Sequence, residues 1–332
     1  MTATRSVVWV ALCGLAAMAF GTSPATAQQT LRLAHHHAVG GTVDKTANKF
    51  AELAKQKSGG QLTIQIFPAA QLGQEREAFG LLNQGVLDMT ITSLGLMDQF
   101  YPPMAVTSLP FIFRDWDHAN KAFDGEFGKS LTAGMLEKTN AHLLGYIGLG
   151  FRDMIFRSDP VTDAAGMKGL KMRSPEAHVW VRMFELLGAR PTPVTWGEVY
   201  TAMQTGVAEG LESPAMAALD MKFNEVTKSV VRTKHMFASM AICINKQRMG
   251  RLPASLQRVV AESGVEAVRW SNTTISEPGE DEAYKIMQTK GMRVVAAQRP
   301  EAWASAMQPL WDEVGSKDPA SRKLIEVLVA TK

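Results

Sequence analysis

The chain has 332 residues, of which 46% are hydrophobic and 20% are charged, and its formal net charge is +3. These values are ordinary for a globular protein. The lysines and arginines are scattered and no basic face alternates with aromatic residues, so nothing in the composition favours nucleic acid as a partner. The small positive balance is compatible with an anionic small molecule.

The first residues are typical of an export signal. An arginine precedes the apolar run 7–20, and Ala25-Thr26-Ala27 supplies the small residues that a signal peptidase requires. This pattern predicts that residues 1–27 form a signal peptide, cleaved near Ala27, and that the mature protein works in the periplasm. No later segment is apolar for long enough to cross a bilayer, so the mature chain is not expected to be embedded in a membrane.

The first part of the mature chain alternates between strand and helix patterns. The predicted elements are a strand over 30–34, a helix that ends at 58–60, a strand over 62–66, a helix over 75–84 and a strand over 86–92. This β-α-β-α-β order favours a mostly parallel sheet with helices on both faces. Ligands of such sheets bind where strands end and helices begin.

The second half shows the same alternation. Strands are predicted over 142–147, 154–157, 170–173, 207–212 and 239–245, and helices over 177–187, 196–204 and from Pro253 to about Ser271. A second α/β lobe is therefore expected. Because the chain crosses between the lobes more than once, their junction is predicted to be a hinge.

Arg173 is the candidate binding residue that the local pattern indicates most directly, because it ends the apolar strand that begins at Leu170. A guanidinium offers five donors in a fixed plane and stays charged at any working pH, so it orients a carboxylate as well as attracting it. The alternative is a structural salt bridge, the usual role of an arginine.

Several short stretches then occur together in a characteristic order. They are Phe67-Pro68 with Gln71-Leu72-Gly73, Gly85-Val86-Leu87-Asp88, Ser108-Leu109-Pro110-Phe111, 167–173, Thr192-Pro193 with 198–200 and 204–206, 209–214, and Phe223-Asn224-Glu225-Val226. By these stretches the mature chain, nearly end to end, resembles the solute receptors of TRAP (tripartite ATP-independent periplasmic) transporters, the DctP-type family.

The resemblance implies an α/β, two-lobed periplasmic-binding-protein (Venus flytrap) fold. Each lobe is then a mixed, mostly parallel sheet flanked by helices, and crossing strands and a long hinge-spanning helix join the two. Lobe I is expected to comprise 28–149 with 239–278, and lobe II 150–238 with 279–332. The implied function is to capture a small organic acid in the interlobe cleft and to deliver it to the membrane subunits of the transporter. No cofactor or metal is expected, and no nucleophile motif suggests an enzyme.

In this family the arginine after Gly-Leu-Lys anchors the ligand carboxylate, a role that the resemblance gives to Arg173. Arg152 falls where many relatives place a second ligand arginine; the alternative is a structural pair with Asp153 or Asp159. Relatives commonly have an asparagine donor where this chain has Ser213, which can still bind directly or through a water.

Other candidates follow from position along the same alignment. Ser93 stands where the sialic-acid receptors carry an acidic contact, so sialic acid is not the expected ligand. Glu75 corresponds to an acidic position that touches ligand hydroxyls in some relatives, although an acid in a first helical turn is also favoured by the helix dipole. Trp196 stands where relatives place an aromatic beside the ligand, with Phe151 and Trp180 as weaker candidates.

The run His35-His36-His37 ends the first predicted strand. Alternation predicts that one or two of the rings, with His36 and His37 as the candidates, face the cleft and that the other faces the exterior. Three adjacent histidines cannot readily converge on one ion, so a metal site is disfavoured. A neutral ring suits a ligand hydroxyl or keto oxygen, and a protonated ring would suit a second carboxylate.

The preferred ligand is therefore a hydroxy or keto monocarboxylate or a sugar acid. A small dicarboxylate is the alternative if Arg152 or a charged histidine binds a second carboxylate. A ligand-sensing protein that signals to a sensor kinase is the remaining alternative.

Overall fold

The computed structural model describes residues 28–332, so the predicted signal peptide lies outside the described residues. Its nine strands belong to one hydrogen-bonded sheet. They are β1 (Gln29–Ala34), β2 (Leu62–Phe67), β3 (Met89–Ser93), β4 (Ala141–Phe156), β5 (Lys171–Ser174), β6 (Arg190–Pro193), β7 (Gly210–Pro214), β8 (Ser229–Asn245) and β9 (Arg293–Ala296). The order across the sheet is β2-β1-β3-β8-β4-β7-β5-β6, and β9 pairs with β8.

Thirteen α-helices flank these strands in the described part of the chain. They are α1 (Thr42–Lys57), α2 (Glu75–Asn83), α3 (Trp116–Asp124), α4 (Glu126–Lys138), α5 (His178–Leu186), α6 (Val199–Thr205), α7 (Ala215–Asp220), α8 (Lys246–Gly250), α9 (Ala254–Ser271), α10 (Glu277–Thr289), α11 (Pro300–Ser305), α12 (Gln308–Lys317) and α13 (Pro319–Ala330). A π-helical turn over Asn272–Ser276 joins α9 to α10. The long helix predicted from Pro253 therefore extends to Thr289.

β4 and β8 are the long strands that cross the whole molecule. They pair with each other along their whole length, from Ala141 opposite Asn245 to Phe156 opposite Ser229. Near the first of these ends β8 continues to β3, β1 and β2, and near the second β4 continues to β7, β5 and β6 while β8 also pairs with β9. β1 is parallel to β2 and β3, and β5 is parallel to β6 and β7, whereas the contacts of β3 and β7 with the crossing strands are antiparallel. The predicted α/β fold, with mixed strand directions in each half and strands that cross between the halves, is confirmed, but the two halves form one continuous sheet and not two separate ones.

A single strand, β4, replaces the two strands predicted over 142–147 and 154–157. Register shifts between Gly148 and Gly150 and between Arg152 and Met154 bend it without ending it. Gly150 has a φ of 98°, which glycine adopts at no steric cost. The bend therefore lies where the chain passes from one half of the sheet to the other.

Each half has its own apolar core. Leu33, Phe50 and Val260 belong to the core between the β1–β3 strands and helices α1 and α9, whereas Leu211 and Met287 belong to the core under α7 and α10. Burial of these side chains is the main stabilising term for each half.

A third core, which includes Phe127, Phe184 and Leu328, joins the two halves. Helix α13, part of the predicted lobe II, packs against α4 and the 3₁₀ segment 102–108 of the predicted lobe I. Over 28–332, no helix combines the length and the apolar character needed to span a membrane.

Candidate functional site

A cavity lined by both polar and apolar side chains lies between the two halves of the sheet, where β1, β3, β5 and β7 end. Its volume is about 790 Å³ when its open mouth is included. Seven of the nine predicted site residues line it: His36, His37, Glu75, Ser93, Arg152, Arg173 and Trp196. Ser213 and Phe151 do not. The lining also includes residues that the sequence did not single out as candidates, among them Gln74, Arg76 and Phe237.

Arg173 lies at the end of β5 with only 2% of its surface exposed. Its Nε and Nη2 donate to the carbonyl oxygen of Val194 at 3.0 and 2.7 Å, and Cζ lies 5.6 Å from the ring centroid of Trp196. Nη1 is buried and has no hydrogen-bond partner among the described residues. A neutral carbonyl therefore fixes this guanidinium and leaves one nitrogen available to an anion.

The salt-bridge alternative for Arg173 is not what the structure shows, since no carboxylate of residues 28–332 lies within ion-pair distance of it. Burial lowers the pKa of Arg173 to about 10, although the negative charge of Glu212 acts in the opposite direction. The side chain therefore remains cationic at neutral pH, and its charge is not cancelled by a direct partner.

Arg152, by contrast, has a direct acidic partner. Its Nη2 donates to Glu212 Oε1 at 2.6 Å and to the Glu212 carbonyl oxygen at 3.0 Å, and its Nε donates to Oε2. Burial of Glu212 would raise the pKa of its carboxyl, but Arg152 and His235 hold that pKa at about 2. The pair is therefore ionised, and most of the charge of Arg152 is balanced inside the protein.

The sequence indicated Asp153 and Asp159 as the possible partners of Arg152, and both pair elsewhere. Asp153 accepts from the Lys234 amide at 2.8 Å and the Tyr284 hydroxyl, while Asp159 pairs with Arg293 at 2.6 Å. The true partner, Glu212, lies on the neighbouring strand β7, opposite Met154 and therefore diagonal to Arg152. Strand pairing of this kind has no signal in a single sequence.

All three rings of the histidine run are buried. His36 Nε2 lies 3.1 Å from Glu75 Oε2, and the His37 ring lies 5.5 Å from Trp196. His35 Nε2 lies 3.1 Å from Asp44. The expectation that the third ring faces the exterior is wrong, because α1 covers that face of β1.

Neither cavity histidine is charged at neutral pH. Burial, with the nearby His35 and Arg173, lowers the pKa of His36 to about 3, and burial beside His36 lowers the pKa of His37 well below its usual value. Neutral rings offer one donor and one acceptor each. No group of three or more His, Cys, Asp or Glu side chains is placed to hold a metal ion within residues 28–332.

Glu75 begins α2 and is directed into the cavity. Its Oε1 accepts from the Ser93 amide, and burial raises the pKa of the carboxyl to about 7 against the opposing effect of that hydrogen bond. Glu75 is a first-turn acid of α2 and it also lines the cleft, while its contact with a ligand stays a prediction. Near neutral pH the carboxyl can accept or donate a hydrogen bond.

Ser213 and Phe151 lie behind the cavity wall. Ser213 is fully buried, and its Oγ donates to the carbonyl oxygen of Pro214 at 3.0 Å. Phe151 packs edge-on against Phe237 at 5.3 Å, and it is the Phe237 ring that reaches the cavity. Phe237 was not predicted as a cavity residue because the strand was expected to begin only at residue 239, whereas β8 begins ten residues earlier.

Two α/β halves around a cavity, with a buried cationic side chain at its wall, define a two-lobed binding protein. Residues 33–318 match the model of the family described as bacterial extracellular solute-binding protein, family 7. The chain belongs to this family, whose members are the periplasmic solute receptors of TRAP transporters, as the sequence predicted. They bind small carboxylates, work with transporter membrane subunits and are not enzymes.

Two relatives and one solved structure illustrate the likeness. A solute-binding protein of Sulfitobacter sp. (strain NAS-14.1) is 31% identical over 320 residues, 95% of this chain and 96% of the relative. The 2,3-diketo-L-gulonate-binding periplasmic protein YiaO of Escherichia coli is 30% identical over 304 residues, 91% of each chain. The crystal structure of a TRAP periplasmic solute-binding protein of Roseobacter denitrificans with bound β-D-glucuronate superposes with a TM-score of 0.88 at 28% identity, covering 92% of this chain and 100% of the other.

Proposed function

We propose that this protein binds a hydroxylated or keto monocarboxylate, such as a sugar acid, in the periplasm and delivers it to the membrane subunits of a TRAP transporter. Arg173 anchors the carboxylate of the acid. The observation that carries the proposal is its buried Nη1, which has no partner among the described residues, on a side chain that lines the cavity. A charged buried donor of this kind is costly unless a ligand satisfies it.

The charges around the cavity favour one carboxylate over two. Arg173 is free of a direct acidic partner, Arg152 is paired with Glu212, and the two cavity histidines are neutral. Glu75 adds a negative charge when it is ionised. The other two charged residues of the lining, Arg76 and Glu176, carry opposite charges. The site therefore holds at most about one unbalanced positive charge, which complements a monoanion.

The remaining polar groups suit hydroxyl and keto oxygens. The neutral rings of His36 and His37 can each donate or accept, and the Glu75 carboxyl lies beside them. Trp180 and Trp196 add flat apolar surfaces to the lining, and Trp196 lies 5.5 Å from the His37 ring. The ligands named for YiaO and for the Roseobacter structure, a diketo-gulonate and a glucuronate, are of this class.

Binding is coupled to closure of two lobes, 28–149 with 239–278 and 150–238 with 279–332. The carboxylate anchor belongs to the second lobe, whereas His36, Glu75 and Ser93 belong to the first, so one ligand bridges both. When the lobes close, water leaves and charge-assisted hydrogen bonds strengthen in the lower local dielectric. The acid stabilises the closed form to the extent that it binds that form more tightly.

Calorimetry with a panel of acids tests this function. The panel is D-glucuronate, 2,3-diketo-L-gulonate, D-erythronate, N-acetylneuraminate and succinate. We expect a sugar acid to bind one per chain with a Kd of about 1 µM or below, about 8 kcal/mol, and to be recovered unchanged. Tightest binding of succinate would contradict the monocarboxylate assignment, and conversion of any acid would contradict a receptor role. Sequencing the N-terminus of the exported protein tests cleavage near Ala27.

A further inference from the structure

The first turn of α1 lacks a cap of its own. Its N-cap residue, Gly41, has no side chain, and the carboxylate in the first turn, that of Asp44, is already used by the Gly40 amide at 2.8 Å and by His35 at 3.1 Å. The first amides of a helix have no partner within the helix, so they need one from elsewhere. For Thr42, the partner comes from the other lobe.

Asp220, the last residue of α7, supplies that partner. Its Oδ2 accepts from the Thr42 amide at 3.0 Å and from Thr42 Oγ1 at 3.4 Å. We propose that Asp220 is a cross-lobe cap of α1, which forms when the cleft closes and prolongs the closed, acid-bound state. The inference rests on the proposed function, since it assigns a positioning residue to the closure step.

Nothing within its own lobe explains an acid at this position. A negative charge at the C-terminal end of a helix is unfavourable, because that end of the macrodipole is itself negative. The hydrogen bonds of the Asp220 carboxylate, among the described residues, all come from Thr42 of lobe I. Closure moves this acid from water to the start of α1, where burial raises its pKa and the Thr42 hydrogen bonds and the charge of Lys45 act in the opposite direction.

Gly41 provides an independent indication that Asp220 approaches the start of α1 closely. Its φ of –74° and ψ of 178° are open to any residue, so the backbone does not require glycine there. A Cβ at this position would stand 2.8 Å from Asp220 Oδ2. Space for a side chain is therefore limited chiefly by the approach of the other lobe.

The cap is close to the cleft but separate from its lining. Pro214 and Ala217, at the start of α7, line the cavity, whereas Asp220 and Gly41 do not. On the other side, α1 follows β1 and the histidines at its end. Movement of α7 on closure therefore shifts part of the cavity wall together with Asp220. Movement of β1 and α1 shifts the histidines together with the Thr42 amide.

Asp220→Ala and Asp220→Asn test the cap, with the acid of the panel that binds most tightly as the probe. Loss of a cap corresponds to a rise in Kd of about 2- to 30-fold, and we expect this rise for Asp220→Ala, mainly as faster release in stopped-flow measurements. Asp220→Asn keeps an acceptor oxygen and should recover part of the loss. The melting temperature of the acid-free protein should be unchanged, because the open form lacks the contact.

Gly41→Ala completes a double-mutant cycle. It should weaken binding in the parent but add little in the Asp220→Ala protein, since the clash is with that carboxylate. Asp117→Asn, an exposed acid paired with Lys121 four residues later, is the charge control and should bind like the parent.

Parental release rates in Asp220→Ala, or equal effects of Gly41→Ala in both backgrounds, would overturn the cap. Failure of the parent to bind any acid of the panel would instead contradict the proposed function. In that case, the fraction of closed molecules is measured without ligand from the distance between labels on the two lobes, and an unchanged fraction in Asp220→Ala rejects the cap.

Discussion

A guanidinium that a carbonyl holds in place keeps its charge for a ligand, whereas one held by a carboxylate does not. Arg173 and Arg152 illustrate the difference within one cavity, because Val194 fixes the first and Glu212 neutralises the second. The two buried acids Glu212 and Glu75 also differ in their pKa values. The Glu212 carboxyl stays ionised beside its arginine, while burial keeps Glu75 close to half protonated at neutral pH.

Arg173→Ala should abolish most of the affinity for the acid, since it removes the anchor and leaves the carboxylate buried without a partner. Truncating one member of a buried charge pair costs about 2–5 kcal/mol, or a rise in Kd of about 30- to 5,000-fold. Calorimetry measures the loss. Arg190→Ala, on the neighbouring strand but exposed, serves as the control, and binding by Arg173→Ala with parental affinity would remove the anchor role.

Glu75 should make the acid-free protein less stable as the pH rises. The carboxyl has a pKa near 4.5 when unfolded and about 7 in the fold. Between these values the folded protein holds a proton that the unfolded chain has released, so the free energy of unfolding falls with increasing pH. The decrease from Glu75 is on the order of 2–3 kcal/mol between pH 4.5 and 7.5.

Urea unfolding of the parent and of Glu75→Gln across this pH range isolates the effect. The difference in unfolding free energy between the two proteins should shift in favour of Glu75→Gln as the pH rises. Asp153, whose pKa burial raises to about 6, contributes equally to both proteins and cancels. A difference that stays constant with pH would show that burial does not perturb Glu75.

At the scale of elements, the π-helical turn between α9 and α10 supplies hydrogen-bond partners to an edge of β4 that no strand pairs with. β7 pairs with β4 only from Arg152 onward, so the first half of β4 has a free edge. Asn272, the first residue of the turn, accepts from the Gly148 amide at 2.9 Å and donates to the Tyr146 carbonyl at 3.1 Å. One side chain thus joins the long helix to the bend in the crossing strand.

Asn272→Ala should destabilise the fold, because it leaves two backbone groups of β4 without these partners. An unsatisfied buried polar group costs about 1–3 kcal/mol, and chemical unfolding of the acid-free protein measures the total. Thr273→Ala changes the next residue of the same turn, whose hydroxyl bonds only within the helix. Equal losses for the two variants would deny Asn272 a special role.

At the scale of the whole molecule, the two halves share two strands, one long helix and the core that α13 helps to build. The halves are thus continuous at the hinge and separate at the cleft. Such connections leave rotation about the hinge as the soft motion, while each half keeps its own packed core. In the proposed function, the ligand acts on this motion because the residues assigned to it, such as Arg173 and Glu75, lie on both sides of the cleft.

A bound acid should therefore stabilise the whole chain against unfolding. At a concentration one hundred times its Kd, the unfolding free energy should rise by about 2.7 kcal/mol, and small-angle scattering should report a smaller radius of gyration. Arg173→Ala at the same acid concentration should show little of either change. Stabilisation of the parent with no decrease in the radius would separate binding from closure.

The sequence by itself determined the α/β class, the approximate elements and the family. Periodicity and turn residues are local signals, and the family stretches are read in order along the chain. The placement of Arg173 and the histidines at strand ends, and of Glu75 in the first turn of a helix, followed from the same signals, since strand ends and helix starts in such sheets gather at one edge.

Only the tertiary structure decided what each of these side chains does with its charge. The pairing of Arg152 with Glu212 joins residues on different strands, and the contact of Asp220 with Thr42 joins elements from different lobes. Such long-range partners, and the burial that shifts the pKa of Glu75 and His36, depend on how the elements pack. Hydrophobic patterning fixes which face of an element is buried, but not which polar group it meets there.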